Sequence, residues 1–353
     1  MKIARREFVS LYILLAATHV FSYIFILSPM LVSSAWLPIV MALLLALPVI
    51  LAARTLAGRN QMEDICTQTM GNAGARIFYA FMLAIVLLNA RVNAVLFSGS
   101  VLAYTADLPF DRSVVAIVLI VAGLCAYIGD MAVSNCARIA LILLMLTMGA
   151  LFLGTISYAR MEHFFPLLGP GLGDMARNAQ QLAGKLLLPM LYIFRADMRD
   201  SGMRRALPVA VTMSALVAAA SLAIYTLSQP TLPAMPDTMA VRVSILMNNG
   251  ASGIQLQLPL ILIWNICQTL MLSAQLALCG ALLRKVFPRL GKLAVPVITI
   301  ILAAVCLLRR DVNPALKMAD MATYPAVAAC FLLVGILNFA QTRRERQRTG
   351  GSV

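Results

Sequence analysis

Charged residues are scarce in this chain: Asp, Glu, Lys and Arg make up 12% of its 353 residues, and only 14 residues are acidic. Motifs that carry enzyme chemistry are also missing, because the chain has no G-x-S-x-G turn, no Walker loop and no H-E-x-x-H pair. No two carboxylates fall together inside an apolar run. We therefore predict that the protein is not an enzyme, has no catalytic residue and needs no metal or cofactor.

Cysteine offers no covalent framework either. The 7 cysteines are odd in number, include no C-x-x-C pair and fall mostly inside apolar runs. Such cysteines are expected to pack as small core residues rather than to form disulfides or to hold a metal ion.

Long apolar runs dominate the chain instead. Hydrophobic residues make up 61% of the sequence, and they gather in segments long enough to cross a hydrocarbon core as helices. The pattern predicts an all-α integral membrane protein with ten transmembrane helices in the lipid bilayer. The expected spans are Phe8–Met30, Ala35–Ala53, Ile77–Ala103, Ser113–Ile128, Ile139–Tyr158, Gln181–Met198, Leu207–Ser228, Leu256–Leu283, Leu293–Leu308 and Thr323–Ala340. The first run is too long for the apolar part of a signal peptide, so we interpret it as an uncleaved helix.

The net charge of +14 is spread over short connections and both tails, which favours a topology signal over a nucleic-acid surface. Most of the 28 lysines and arginines fall on one side of the expected spans, so the positive-inside rule predicts that both termini are cytoplasmic. The chain is expected to form one polytopic domain. Its parts are a first five-helix repeat at 1–158, an outer loop at 159–180, a second repeat at 181–340 and a basic cytoplasmic tail at 341–353.

Five spans in each half give the two halves opposite orientations, which predicts a 5+5 inverted repeat. The sixth helix then corresponds to the first, and the eighth to the third. Gly184 and Pro189 in the sixth span favour an interruption, because proline removes a backbone hydrogen bond and glycine frees the torsions. Interruptions at equivalent places in two repeats are typical of the midplane site of a transporter.

A guanidinium lies in the middle of the third span, where Asn89 and Asn93 flank Arg91. A charge at that depth costs about 2.5–3.5 kcal/mol on insertion scales, so it must face protein, water or a ligand. By our assignment each of the 14 acids lies in a loop, a tail or a helix end, so we expect no carboxylate partner inside the membrane. Arg91 then either holds an anionic ligand or ties helix ends together. The same assignment argues against the commonest form of proton symport.

Further polar residues stand at mid-depth in other spans. His19 either contacts a ligand or a proton, or stays a buried neutral imidazole bonded to a carbonyl. Four polar residues recur near helical spacing on the eighth span: Asn265, Gln268, Thr269 and Ser273. They either share a ligand-binding face or bond helix to helix. The candidate ligand-binding residues are Thr18, His19, Ser22, Asn89, Arg91, Asn93, Lys185 and Gln268.

Four segments carry a resemblance to a known family. They are Leu27-Ser28-Pro29 at the end of the first span, the turn from Tyr127 to Arg138, the loop Phe165-Pro166-Leu167-Leu168-Gly169-Pro170-Gly171, and Leu187-Leu188-Pro189 with the charged turn from Arg195 to Arg205. In this order they resemble the B-subunit permeases of spore germinant receptors (GerAB-type), in the amino acid-polyamine-organocation superfamily. The first span differs from the family, because Ala16–Tyr23 contains no glycine.

The resemblance implies a LeuT-like fold with interrupted first and sixth helices, in an inner membrane, either cytoplasmic or inner spore. It also implies a central cavity among spans one, three, six and eight that binds a small amino acid-like germinant. In that site Arg91 or Lys185 would hold an anionic group, and the ligand would signal to partner subunits or open a solute path. The implied partners are a germinant receptor A subunit and a lipoprotein C subunit.

Two other functions stay open from the sequence. The first is a secondary transporter of amino acids or related organic solutes in vegetative cells. The second is a scaffold for partner subunits whose cavity is vestigial.

Overall fold

A computed structural model describes residues 5–27, 36–56, 62–104, 111–155, 171–194, 203–228, 257–308 and 313–349. Within these ranges the chain forms ten α-helices: α1 Arg5–Leu27, α2 Trp36–Leu56, α3 Met62–Tyr104, α4 Asp111–Ile128, α5 Asp130–Thr155, α6 Leu172–Leu187, α7 Met203–Ser228, α8 Gln257–Val286, α9 Ala294–Leu308 and α10 Asn313–Thr349. Two 3₁₀ segments, Leu188–Phe194 and Pro288–Leu293, follow α6 and α8.

The described helices present an apolar surface to their surroundings. Five segments are long and apolar enough to cross a membrane: α2, α3, α8, α9 with its preceding 3₁₀ segment, and α10. The helices α4 and α5, which meet at Gly129, satisfy the same criteria as a bent pair. Large apolar side chains on the outside of the bundle, such as Leu44, Ile117 and Ile300, are more than half exposed. A surface of this kind is stable in lipid, so the protein is an integral membrane protein, as predicted.

The two halves of the bundle pack in the same pattern. α1 packs against α7 as α6 packs against α2, and α1 packs against α5 as α6 packs against α10. α3 packs against α10 as α8 packs against α5, while α3 and α8 contact each other at the centre. Exchanging the first five helices with the last five therefore leaves these contacts unchanged. This is the pattern that a 5+5 inverted repeat produces.

Several helices begin earlier than the apolar runs predicted, and α3 and α10 differ most. α3 begins at Met62 rather than Ile77, and it bends at Gly71, whose φ of 69° suits glycine. α10 begins at Asn313 rather than Thr323. Polar residues lower the hydropathy of both added segments, but apart from the bend at Gly71 their backbone is helical. The earlier start of α10 places Asp320 inside this helix.

The first residues of the second repeat also differ from the expectation. α6 begins at Leu172, inside the range 159–180 that was predicted as an outer loop. Gly171 precedes the helix with a φ of 115°, a conformation that favours glycine. The long connection at 229–255 lies outside the described residues.

α1 is helical without a break from Arg5 to Leu27, which differs from the interruption expected in the first helix. The hydroxyl of Thr18 donates to the carbonyl oxygen of Leu14 at 2.7 Å, so its proton is used within the helix. The middle of α1 also contains no glycine to lower the cost of leaving the helical conformation.

α6 changes to a 3₁₀ helix after Leu187, which confirms the interruption predicted for the sixth helix. Pro189 explains the change, because it has no backbone N–H to donate. In a 3₁₀ helix the carbonyl of Leu186 would accept its hydrogen bond from residue 189. Tyr12 of α1 supplies the missing donor, since its buried hydroxyl donates to the carbonyl oxygen of Leu186 at 2.6 Å. The break in α6 is therefore fixed by a side chain of the other repeat.

Substituting Tyr12→Phe is expected to lower the free energy of unfolding by about 1–3 kcal/mol, because the buried carbonyl of Leu186 would lose a donor. Thermal unfolding of the purified protein in detergent measures the loss. Tyr127→Phe is the matched control, because Tyr127 is largely exposed. Equal stability of the Tyr12→Phe variant and the wild type would contradict the assigned role.

Candidate functional site

Lys185 forms the centre of a buried polar cluster at the last turn of α6. Only 3% of its surface is exposed. Its Nζ donates to Oδ1 of Asn89 on α3 at 3.0 Å and lies 3.8 Å from Oδ1 of Asp320 on α10. A charge in this position is stable only with such partners, because burial removes the ammonium from water. Three helices thus meet around one cation.

Asp320 corrects the expectation that every acid lies in a loop, a tail or a helix end. It lies within α10 and within the apolar segment Ala315–Ala340, and it is 7% exposed. The span was predicted to begin at Thr323, which left Asp320 outside it. The carboxylate is tolerated there because Lys185 provides the opposite charge. The premise used against a proton-coupled mechanism is therefore wrong for this residue.

Asn89 is held in one orientation by its neighbours. Its Nδ2 donates to the carbonyl oxygen of Ile85 at 2.9 Å and to Oγ1 of Thr323 at 3.0 Å. The hydroxyl of Thr323 has a single proton, which it donates to the carbonyl oxygen of Ala319, so it accepts from Asn89. These bonds turn Oδ1 of Asn89 towards the ammonium of Lys185. Thr323 was not among the predicted site residues.

A second cluster joins α1, α3 and α8 through His19, Asn93 and Gln275. Nδ2 of Asn93 donates to Oε1 of Gln275 at 3.1 Å, and this bond points Nε2 of Gln275 at Nε2 of His19, 2.9 Å away. An amide NH₂ only donates, so Nε2 of His19 is the acceptor of this bond, and Nδ1 of His19 lies 3.5 Å from Nδ2 of Asn93. His19 is therefore a neutral imidazole in this arrangement.

The two clusters share α3 and follow the inverted repeat. Asn89 and Asn93 are one helical turn apart, which places them on one face of α3. In the first cluster Lys185 on α6 contacts the amide of Asn89 on α3. In the second cluster His19 on α1 contacts the amide of Gln275 on α8. The repeat exchanges α1 with α6 and α3 with α8. The pair Lys185 and Asn89 thus has His19 and Gln275 as its counterpart.

Arg91 is not part of either cluster. A helix turns by about 200° over two residues, so Arg91 cannot share the face that carries Asn89 and Asn93. Its side chain is only partly buried. The spacing of these three residues could have shown this from the sequence alone.

The other candidates have different places. Gln268 is buried on α8, seven residues before Gln275 and therefore on the same face of the helix. Thr269 and Ser273 donate to carbonyls one turn back in α8, at 2.8 and 2.6 Å. Ser22 lies in α1, and its side chain is outside the described part.

A helical bundle built as an inverted repeat, with a broken sixth helix beside a buried polar centre, is the LeuT-like architecture of membrane transporters. No protein-family model and no curated protein matches the sequence. Among solved structures the chain is similar to MHP1, a nucleobase-cation-symport-1 family transporter, in a closed conformation with bromovinylhydantoin bound. The match covers 98% of this chain and 80% of that chain, with a TM-score of 0.69 and 14% identity. This likeness shows the LeuT-like fold.

Proposed function

We propose that the protein is a secondary transporter of a small polar organic solute, which binds at the cluster of Lys185, Asn89, Asp320 and Thr323. The observation that carries the proposal is the buried pair of Lys185 and Asp320 beside the break in α6. Ionisable residues inside membrane spans are costly, and they commonly mark substrate or ion pathways. A broken helix at the interface of two repeats is where transporters bind their cargo.

The hydrogen bonds of the proposed site also allow a bound solute to shift the protein between conformations. Its bonds connect α3, α6 and α10, and the second cluster connects α1, α3 and α8. A solute that replaces some of these bonds binds one arrangement of the helices better than another. That difference in affinity is what shifts a conformational equilibrium. In this proposal the two repeats provide alternating access to the solute.

Uptake into proteoliposomes tests the proposal with two neighbouring substitutions on α3. A panel of radiolabelled amino acids, nucleobases and hydantoins identifies the solute, and the hydantoins enter because MHP1 holds one. Asn89→Leu is expected to reduce uptake about tenfold or more, because the bond to a charged group is worth about 1.5–3 kcal/mol. Arg91→Leu is the matched control and is expected to keep wild-type uptake.

Two results would contradict this assignment. Loss of uptake in Arg91→Leu, with Asn89→Leu unaffected, would indicate that the solute binds on the face of α3 that carries Arg91. Absence of uptake and of ligand stabilisation across the panel would favour the scaffold.

A role as the membrane subunit of a germinant receptor is the second proposal, and it rests on the four sequence segments from Leu27 to Arg205. In that role a germinant binds the same cluster, and the change of state passes to an A subunit and a lipoprotein C subunit. Co-expression with such subunits, followed by affinity purification, tests it. A stable complex supports the receptor, whereas solute uptake by the chain alone supports the transporter.

A further inference from the structure

The charges of Lys185 and Asp320 cancel. Lys185 and Asp320 lie 3.8 Å apart and carry opposite charges. If the proton moves from the ammonium to the carboxylate, both groups become neutral and the sum is still zero. The net charge of the pair is thus zero before and after this proton transfer.

The other described side chains whose hydrogen bonds lie in the two clusters carry no charge. His19 is neutral because Nε2 accepts a hydrogen bond. Tyr12 and Tyr324 both donate through their hydroxyls to backbone carbonyls, at 2.6 and 3.0 Å, so both are protonated. Arg91 lies on another side of α3. The partners of the pair named above lie on α3, α6 and α10, and they leave its net charge at zero.

We propose, on the basis of the transporter function above, that the solute has no net charge. It is either an uncharged polar molecule or a zwitterion, and not an organic anion or cation. An anion bound to Lys185 would draw the ammonium away from Asp320 and leave that carboxylate unbalanced in the membrane interior. A cation bound to Asp320 would do the same to Lys185. A solute without net charge binds the amides or both charges and creates no such excess.

Thermal unfolding in detergent tests this with four groups of compounds: uncharged heterocyclic amides, zwitterionic amino acids, monovalent organic anions and monovalent organic cations. A member of the first or second group is expected to raise the apparent Tm by about 5 °C at a hundredfold excess over its Kd. The group that responds distinguishes the uncharged solute from the zwitterion. Stabilisation by an anion or a cation, with none by neutral compounds, would overturn the inference.

Charge variants of the pair make the test independent of the natural solute. Asp320→Asn leaves one positive charge, so the variant is expected to bind anions of the panel at least about tenfold more tightly than the wild type does. Lys185→Met leaves one negative charge and is expected to favour cations in the same way. The double variant Lys185→Met/Asp320→Asn has no excess charge, so it is expected to bind neither anions nor cations more tightly than the wild type does.

The outcomes separate this inference from the proposed function. Uptake of a charged solute by the wild type, together with unchanged preferences in the variants, would overturn the neutral class and leave the transporter intact. Failure of every compound to stabilise or enter with any of the four proteins would overturn both. Size-exclusion chromatography checks that each variant is folded. If a single variant is not folded, the comparison of the wild type with the double variant tests the inference.

Discussion

Lys185→Met is expected to lower the free energy of unfolding by about 3–5 kcal/mol, one of the largest losses for a single substitution in this protein. The methionine is of similar length and fits the apolar surroundings, so the loss comes from Asp320. Asp320 is 7% exposed, so its carboxylate would stay buried without the ammonium that now lies 3.8 Å away. Asn89 would lose the donor that its Oδ1 contacts at 3.0 Å.

A double-mutant cycle measures how much of this loss belongs to the pair. Lys185→Met/Asp320→Leu removes both charges, and most of the lost stability is expected to return, because a buried pair can be replaced by apolar groups at little cost. Lys317→Met, at an exposed lysine on α10, is the matched control and is expected to change little. Additive losses in the double variant would show that the two charges do not interact.

The sequence predicted the architecture well because a membrane leaves few alternatives. Apolar runs of spanning length, an odd number of spans in each half and Pro189 in the sixth span were each visible in the sequence. They led to the helical bundle, the inverted repeat and the break in α6. Helix ends were less predictable, since Met62–Met70 and Asn313–Ala322 are helical but too polar to stand out as apolar runs. Orientation in the membrane stays a prediction of charge patterning.

The site was predictable only in part. Asn89, Asn93, His19 and Lys185 could be selected because polar groups inside apolar runs need partners. Which residues partner them depends on contacts between helices that are distant in the sequence.

Asp320 shows this limit most clearly. A hydropathy profile scores its carboxylate by itself, whereas its stability in the membrane depends on Lys185 from another helix. Thr323 and Gln275 were missed for the same reason, because Asn89 and Asn93 are their partners. The spacing of two residues separates Arg91 from Asn89 on a helix, so the sequence also indicates that these two side chains lie on different faces of α3.

Gly184→Leu is expected to destabilise the protein by about 3 kcal/mol and to abolish solute binding. A Cβ at Gly184 would lie 3.0 Å from the backbone nitrogen of Tyr324 and 3.3 Å from Cβ of Thr323. A backbone atom cannot move aside as the end of a side chain can, so α6 and α10 would have to separate. That movement would lengthen the distance from Lys185 to Asp320, which is already long for an ion pair.

Gly173→Leu is the matched control in the same helix, because a Cβ at Gly173 meets nothing within 4 Å. Leucine has the higher helix propensity, so this control is expected to equal or exceed the wild type in Tm. The decisive comparison is between Gly184→Ala and Gly184→Leu. If close packing of α6 on α10 positions Lys185, ligand affinity falls as the side chain at residue 184 becomes larger. The same substitutions at residue 173 then leave ligand affinity unchanged. Equal affinities in both series would mean that Lys185 reaches its partners without this contact.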